Sequence, residues 1–180
     1  MKSVNIRLTK KQYRSFFTGN VHQGFKDFIK DEKKLSMFYE FRNANYDRYS
    51  KAELFPGIAK AIKKIHGNYI LSIASSGKQK NILQLLNKNG LDKFLAIVLA
   101  TTENTKENMI NEIVKRFGIK PKETVMVTDT VGDINIAKKM GLKTIAVTWG
   151  FHPKKLLSLT VPDKIVSDRS KLSIDISSIF

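Results

Sequence analysis

The spacing of apolar positions along this chain changes near residue 54. Before that point apolar residues recur at helical intervals, in the stretches 9–17, 21–29 and 33–49. After Leu54-Phe55-Pro56-Gly57, short β-branched runs alternate with amphipathic stretches. The pattern predicts strands at 69–74, 95–100, 125–128, 143–148 and 164–167, and helices at 78–88, 106–117, 133–140, 153–159 and 172–180. Such alternation predicts a parallel α/β sheet with helices on both faces.

The helical region before residue 54 carries an aromatic stripe. An aromatic stripe at helical spacing is typical of a packed interior and not of a cofactor site. The residues expected to face one another in this small bundle are Phe25, Phe28, Leu35, Phe38, Tyr39 and Phe41.

The composition narrows the classes of protein to consider. A chain of 180 residues with 42% hydrophobic residues can form one core with a small attachment. The absence of cysteine excludes disulfides and thiolate metal sites. The sequence has no apolar run of membrane-spanning length, and its beginning does not resemble a signal peptide. We therefore expect a cytoplasmic protein with no membrane partner.

The net charge of +16 suggests an anionic partner, either a nucleic acid or a negatively charged small substrate. Lysines number 26 against 6 arginines, and they are spread over the predicted helices. Because arginine is the preferred side chain for reading bases and phosphates, this bias disfavours nucleic acid. A solvated, lysine-rich surface explains the charge better.

Polar residues follow three of the predicted strands, which is where open parallel sheets bind ligands. Ser75 and Ser76 precede a helix, whose first amides could hold phosphate oxygens, although a serine there is also an ordinary helix cap. Lys106 follows the next strand and could hold a phosphate and a carboxylate together, or could be one more surface lysine. Asp129 and Asp133 follow the strand 125–128. Their oxygens suit Mg²⁺, but an Asp-rich turn with Asp133 as a helix cap is an equal alternative.

The order of these three positions resembles the haloacid dehalogenase superfamily of phosphohydrolases. In that family one strand ends in Ser or Thr, a Lys follows, and a later strand ends in paired acids. The matching positions here are Ser75, Lys106, and Asp129 with Asp133. The loop Thr148-Trp149-Gly150-Phe151 is similar to one in phosphoglycolate-phosphatase-like members. The resemblance implies a Rossmann-like, doubly wound α/β core with a small helical cap.

One family motif has no counterpart in the printed sequence. The family nucleophile lies in an Asp-x-Asp motif after an early strand, and no Asp precedes Asp27 here. The first nine residues instead resemble the stretch that follows that motif, so Met1 is expected to be an internal methionine of a longer protein. The missing piece would be on the order of 20–30 residues. The resemblance thus implies a truncated cap at 1–53 and, at 54–180, a core that lacks its first strand.

The mechanism that the resemblance implies is hydrolysis of a small phosphomonoester through an aspartyl-phosphate, with Mg²⁺ as cofactor. Ser75, the Ser76 amide and Lys106 would bind the phosphate, and Asp129 and Asp133 would bind the metal. Without the nucleophile, the chain as given is expected to be inactive. Two alternatives remain: a non-catalytic interaction module of the same fold and, with less support, a nucleic-acid-binding protein.

Four cap and loop residues complete the candidates. His22 and Arg42 lie in the helical region and are candidate substrate contacts, although exposed polar residues on helices usually have no such role. His66 and His152 are weaker candidates. The identity of the substrate, a small phosphorylated metabolite, cannot be read from these residues.

Overall fold

The computed structural model describes residues 6–44, 52–101 and 104–180. Within these residues the α-helices are α1 (Lys10–Ser15), α2 (Val21–Phe28), α3 (Glu32–Ala44), α4 (Ile58–Ile65), α5 (Gln79–Lys88), α6 (Lys106–Phe117), α7 (Val131–Lys139), α8 (Lys154–Ser158) and α9 (Leu172–Ser177). The strands are β1 (Ser72–Ser75), β2 (Ile97–Ala100), β3 (Val125–Thr128), β4 (Lys143–Val147) and β5 (Lys164–Val166).

All strand pairs in the described residues are parallel, and they form two separate ladders. The first ladder pairs β1 with β2, in the register Ser72 opposite Ile97. The second has the order β3-β4-β5, with Val125 opposite Lys143. The α/β class expected from the alternating pattern is therefore confirmed.

Helices cover both faces of the two ladders. On one face, Ile110 of α6 and Ala137 of α7 form an apolar cluster that includes Ala74 of β1 and Met126 of β3. On the other face, α4 and α9 pack over β4 and β5 in a cluster to which Leu71 and Val125 also belong. The first cluster thus contains residues of both ladders, and the second contains Leu71, which directly precedes β1, so the same helix layers cover both ladders.

The predicted bounds of the helices and strands agree closely with the observed ones where a cap or an apolar run, which acts over a few residues, determines them. The bounds of α6 and β3 are those predicted. The strand predicted at 69–74 begins later and ends one residue later, as β1, and the strand predicted at 95–100 is shortened to β2. The apolar pattern did not predict the helix α4. It packs its buried Ala61 and Ile65 against the sheet. Residues 45–49 of the predicted helix 33–49 lie outside the described residues.

The amino-terminal helices form a small bundle with aromatic side chains packed between them. The bundle was predicted, but not all of its predicted interior residues are buried. Phe25 is fully buried, with its ring centroid 4.9 Å from the rings of both Phe16 and Phe38. The prediction was wrong in placing Phe28 and Phe41 inside, because these side chains are 40% and 55% exposed. The assignment of 1–53 as a cap and 54–180 as a core stays a prediction.

The length and apolar character of the helices decide whether any of them could span a membrane. Among the residues that the structure describes, no helix is both long enough and apolar enough to cross a bilayer.

Candidate functional site

A cavity of about 900 Å³ lies between the amino-terminal helices and the carboxyl ends of β1 and β3. This volume is in the range of small-molecule sites. Residues of both regions line it. The polar and charged residues of its lining include Asn20, His22, Arg42, Ser75, Ser76, Lys106, Glu107, Thr130, Asp133 and Lys139. The cavity thus brings together every predicted phosphate-binding residue, one of the two predicted metal ligands and both cap candidates.

The end of β1 forms a tight corner before α5. The Gly77 amide donates to Ser75 Oγ at 3.1 Å, which holds the hydroxyl at the lip of the cavity. Lys78 stands at the N-cap of α5, and no side chain caps this helix. The serine-cap alternative is therefore wrong for Ser75. The uncapped first turn and its dipole favour an anion at this corner.

Lys106 extends from the first turn of α6 to the site. Its Nζ donates to the Ala74 carbonyl of β1 at 2.9 Å and lies 3.4 Å from Asp133 Oδ2. Its side chain is 13% exposed, so the surface-lysine alternative is wrong. Thr105 caps α6 by accepting from the Asn108 amide. This cap fixes where the helix begins, and hence where Lys106 points.

Asp133 sits in the first turn of α7 and is held by two further residues. Its Oδ2 accepts from the Thr128 hydroxyl at 3.1 Å. The N-cap of α7 is Thr130, whose Oγ1 accepts from the Asp133 amide at 3.3 Å. The alternative that Asp133 itself caps the helix is therefore wrong, and its carboxylate is directed toward Lys106.

Asp129 follows β3 and is half-buried, with its carboxylate turned toward the loop at residues 150–152. Its Oδ2 accepts from the Phe151 amide at 2.7 Å, and its carbonyl accepts from the His152 amide at 3.1 Å. The close packing needs Gly150, because a Cβ there would overlap the Asp129 carboxylate. Asp129 and Asp133 thus lie close together in sequence, after β3, but their carboxylates make different contacts.

The carboxylates of Asp129 and Asp133 can be compared with the ligands that Mg²⁺ usually has in proteins. Among the described residues, no group of three or more acidic or histidine side chains is arranged to hold a metal ion. Mg²⁺ is usually held by only one or two carboxylates, with water and substrate oxygens completing its shell. Each carboxylate oxygen accepts more than one bond, so the contact with Phe151 leaves Asp129 further capacity. The pair fits Mg²⁺ in the type and number of its protein ligands.

The side of the cavity formed by the amino-terminal helices carries His22 and Arg42. Burial, and secondly the charge of Arg42, lower the pKa of His22 below its ordinary value. His22 Nδ1 lies 3.5 Å from Tyr39 Oη, while its buried Nε2 has no hydrogen-bond partner. Burial raises the pKa of Tyr39, and Arg42 opposes that shift. The guanidinium of Arg42 lies 5.6 Å from the centre of the Phe25 ring.

Three residues of the site were not singled out as functional from the sequence. Asn20 caps α2 by accepting from the His22 and Gln23 amides, and so orients His22. Thr128 and Thr130 position Asp133. Asn20 could have been found as a polar residue directly before an apolar helical run. The role of Thr128 depends on side-chain direction, for which the sequence carries no signal.

The two weaker histidine candidates lie outside the cavity lining. His152 is 1% exposed and accepts at Nδ1 from the Val131 amide at 3.0 Å. Its Nε2 lies 3.0 Å from the Arg14 carbonyl, to which it donates, because the amide bond requires Nδ1 to be the acceptor. His152 therefore joins α1 to the start of α7. His66 is exposed and packs on Phe94.

Two comparisons connect this chain to known proteins. It is 32% identical over 122 residues to a phosphoglycolate phosphatase of Synechococcus elongatus, covering 67% of this chain and 58% of that protein. It is 24% identical over 147 residues to the pyrophosphatase PpaX of Oceanobacillus iheyensis, covering 79% of this chain and 68% of that protein. The chain thus spans less than two thirds of the length of the first of these relatives.

Solved structures share the fold. A haloacid dehalogenase-like family protein of Streptococcus pneumoniae superimposes with a TM-score of 0.80 at 18% identity, covering 95% of this chain and 83% of that one. A predicted phosphoglycolate phosphatase of Haemophilus somnus gives 0.76 at 19% identity, covering 97% and 85%.

The family itself follows from a direct match. The family model described as haloacid dehalogenase-like hydrolase matches residues 2–147, which is most of the chain. The resemblance noted in the sequence is therefore confirmed: this chain belongs to the haloacid dehalogenase-like hydrolase family.

Proposed function

We propose that this chain is the phosphate- and metal-binding part of a phosphoric monoester hydrolase that acts on a small phosphorylated metabolite. The observation that carries the proposal is the position of Lys106, whose ammonium group joins the end of β1 to Asp133 at the cavity wall. A mostly buried cation beside a hydroxyl and an uncapped helix start is suited to a phosphate dianion. The family membership and the phosphatase relatives support the same class of reaction.

In the proposed site each residue has a separate task. The Ser75 hydroxyl and the Ser76 amide hold one phosphate oxygen, and Lys106 neutralises charge on the phosphoryl group as it is transferred. Asp129 and Asp133 hold Mg²⁺, which when bound supplies further neutralisation of phosphate charge. Thr128 and Thr130 keep Asp133 oriented.

The route through an aspartyl-phosphate needs a carboxylate that attacks phosphorus and displaces the alcohol of the substrate. Within the described part of the chain, the carboxylates that line the cavity belong to Glu107 and Asp133. Both are paired with lysines, Glu107 with Lys139 at 3.2 Å and Asp133 with Lys106. In the proposed site Asp133 binds the metal and Glu107 has no assigned role beyond its pair with Lys139, so neither is assigned as the nucleophile. We propose that the 180-residue chain binds phosphate without turning over esters.

The cap residues are proposed to contact the part of the substrate beyond the phosphate. The relatives are named for phosphoglycolate and pyrophosphate, and each of these molecules carries a second anionic group. Arg42 is a cation on the cap side of the cavity, and His22 has an unpartnered ring nitrogen beside it. We place both as contacts to such a group. The cytoplasmic location likewise stays a prediction.

The proposal is tested with the purified chain, inorganic phosphate and Mg²⁺. Calorimetry should detect phosphate binding that Lys106→Gln weakens at least about tenfold, because a charged contact is lost. The control Lys164→Gln alters a lysine outside the cavity lining and should leave phosphate binding unchanged. With p-nitrophenyl phosphate and Mg²⁺, no turnover above background is expected.

Three results would contradict the proposal in different ways. Turnover that Asp129→Ala abolishes would show that the chain contains its own nucleophile. Binding of neither phosphate nor Mg²⁺ would favour the non-catalytic interaction module. Tight, strongly salt-dependent binding of nucleic acid would favour the third class instead.

A further inference from the structure

The turn that follows α8 carries two exposed apolar side chains. Its four residues, 159–162, have the sequence Leu-Thr-Val-Pro. Leu159 and Val161 are 74% and 73% exposed, more than any other large apolar side chain that the structure describes. Single exposed apolar residues are normal on a protein surface, but two of them within one short turn form a patch that needs an explanation. We name residues 159–162 the apolar turn.

The amides of the apolar turn are hydrogen-bonded within the protein. The Thr160 amide donates to the Leu157 carbonyl and the Val161 amide to the Ser158 carbonyl, each at 3.1 Å. The Thr160 hydroxyl also donates to the Leu157 carbonyl, at 2.7 Å. Pro162 has no amide that would need a partner. The turn therefore exposes apolar side chains without exposing unpaired amides at these positions.

The carbonyls of the same two residues are bound by one lysine of α7. Lys138 Nζ donates to the Thr160 carbonyl at 2.8 Å and to the Val161 carbonyl at 2.9 Å. A peptide group that leaves water without a hydrogen-bond partner is costly, so such pairing is a condition for entering an apolar medium. Lys138 is exposed and thus also places a positive charge beside the apolar side chains.

Val161 has a strained backbone. Its φ is 48°, and within the residues that the structure describes it is the one residue other than glycine with a positive φ. A β-branched residue in the left-handed region is an outlier, which the bonds to Ser158 and from Lys138 hold in place. Glycine would form the same turn without this strain. Because a valine here costs stability and adds exposed apolar surface, neither folding nor solubility explains it.

Two further lysines lie close to the apolar turn. Lys154 and Lys155 of α8 are exposed, and neither forms an ion pair with a described residue. Roughly 6–8 Å of helix separates them from Leu159, which is within the Debye length of about 8 Å at physiological salt. One acid, Asp163, follows the turn, but its carboxylate accepts from the amide and hydroxyl of Thr144. The charge around the turn is therefore positive.

We propose that the apolar turn inserts into the surface of a lipid bilayer that contains anionic lipids. Leu159 and Val161 enter the boundary between headgroups and acyl chains, and the three lysines lie at the level of the anionic headgroups. The net charge of +16 favours an anionic surface over a neutral one. This attachment is independent of the proposed hydrolase activity.

A lipid surface fits the apolar turn better than a protein pocket does. A specific protein interface buries about 800 Å² on each partner, which is more than two side chains supply. Insertion into a bilayer surface needs no spanning helix, and the described residues contain none. The expectation that the protein has no membrane partner rested on the absence of an apolar run of spanning length, which does not bear on surface attachment.

Co-sedimentation of the 180-residue chain with vesicles tests the attachment. Vesicles of phosphatidylcholine and phosphatidylglycerol in equal parts should bind the chain at least about tenfold more tightly than vesicles of phosphatidylcholine alone. Leu159→Ser should weaken binding to the mixed vesicles at least about tenfold, because the inserted apolar surface is lost. The matched control is Ile174→Ser, which alters a 59% exposed side chain of α9 and should leave binding unchanged.

A second pair of variants tests the contribution of charge near the turn. Lys154→Gln combined with Lys155→Gln should weaken binding to the mixed vesicles about 30-fold, since each lysine at an anionic surface contributes roughly a factor of five. Lys10→Gln combined with Lys11→Gln changes the net charge equally, at the start of α1, and should have a much smaller effect.

Insertion itself is measured with an environment-sensitive fluorophore. The chain has no cysteine, so Leu159→Cys provides a single attachment position for the label. The emission of a label at position 159 should shift to the blue when the mixed vesicles are added, because the label leaves water. A label introduced by Ile174→Cys should not shift.

Four outcomes would overturn the proposal. The first is no binding to the mixed vesicles. The second is binding that both lysine pairs weaken equally, with no shift of the label at position 159, which would show adsorption through overall charge alone. The third is unchanged binding of Leu159→Ser, which would leave a protein partner as the occupant of the turn. The fourth is a label at position 159 that is shielded without vesicles and becomes exposed on dilution, which would identify a second copy as the occupant.

Discussion

Lys106 and Asp133 form an ion pair at the wall of the cavity, with Nζ 3.4 Å from Oδ2 and both side chains largely shielded from water. Lys106→Met leaves Asp133 with only the Thr128 hydroxyl on that oxygen. We expect a loss of about 1–3 kcal/mol in the free energy of unfolding, measured by urea denaturation. The pair is not fully buried, so the larger cost of breaking a deeply buried pair does not apply.

The control for this variant is a second lysine–carboxylate pair, which lies on the surface. Lys139→Met breaks the pair with Glu107, whose separation is 3.2 Å, but the Lys139 side chain is 78% exposed. Its expected cost is within about 0.5 kcal/mol. Equal costs for the two variants would show that the shielding of Lys106 contributes nothing to stability.

Asp129 and Gly150 leave no room for a side chain between them. Gly150→Ala introduces a Cβ that overlaps the Asp129 carboxylate, so the carboxylate must move and its bond from the Phe151 amide must break. We expect a cost of about 1–3 kcal/mol by thermal or urea denaturation. Gly67→Ala, where a Cβ meets nothing within 4 Å, serves as the control and should be close to neutral.

A double variant tests the cause of this cost. If the clash with Asp129 is responsible, Gly150→Ala should cost much less in an Asp129→Gly background than alone, with a coupling of about 1–3 kcal/mol. Additive costs would instead assign the effect to the backbone of the loop.

Local signals explain which parts of the fold and site were predictable. Thr105 before an apolar helical run and the short run Val125–Thr128 predict α6 and β3 to the residue, because caps and apolar runs act over a few positions. The ordered polar residues at strand ends likewise predicted that Ser75, Lys106, Asp129 and Asp133 would meet, and all of these except Asp129 line the cavity. Parallel strands bring their carboxyl ends to one edge of the sheet.

Other features depend on contacts that are distant in sequence. The direction of the Asp129 carboxylate is set by the Phe151 amide, 22 residues away. The hydrogen bond of His152 Nε2 goes to the Arg14 carbonyl, 138 residues away. The exposure of Phe28 and Phe41 depends on how far the bundle extends, which helical spacing does not reveal. The helix α4 was missed although its buried positions, Ala61 and Ile65, have helical spacing.

Gly132 provides the close approach between α7 and the segment Phe16–Thr18, a single 3-10 turn after α1. A Cβ at Gly132 would lie 2.8 Å from the Gly19 carbonyl oxygen and 2.9 Å from that of Phe17. Both obstacles are backbone atoms, so Gly132→Ala should push the amino-terminal helices away from α7. We expect destabilisation of about 1–3 kcal/mol and faster proteolysis within residues 10–28. Unchanged proteolysis, with Gly67→Ala as the reference, would contradict this.

His152 also holds the amino-terminal helices against α7, because it bonds both to Val131 and to Arg14. His152→Ala removes the acceptor of the buried Val131 amide and the donor to the Arg14 carbonyl. An unsatisfied buried amide and a cavity together should cost about 2–4 kcal/mol. Limited proteolysis should again cut first in the amino-terminal helices. Cleavage that begins in the sheet instead would show that His152 does not hold these helices to the core.

The lowered pKa of His22 makes a specific prediction about pH. Burial, and secondly Arg42, disfavour the protonated ring in the folded state, while the unfolded chain keeps the ordinary value of 6.5. Below pH 6.5 the unfolded state therefore binds the proton more readily than the folded state, so stability falls as the pH decreases through this window. The loss ends below the folded-state pKa, where both states are protonated. His22→Gln removes this contribution, and its melting temperature should decline less than that of the unaltered chain between pH 7 and pH 5.

Proton NMR of the His22 ring tests the cause directly. The titration midpoint should lie below 6.5 in the folded chain and move upward in Arg42→Met, because the charge of Arg42 is the second cause of the shift. It should not return fully to 6.5, since burial is the larger cause and remains. A midpoint at or above 6.5 in the unaltered chain would contradict the assigned environment of His22. An upward shift on adding inorganic phosphate would indicate that the anion binds close enough to stabilise the charged ring.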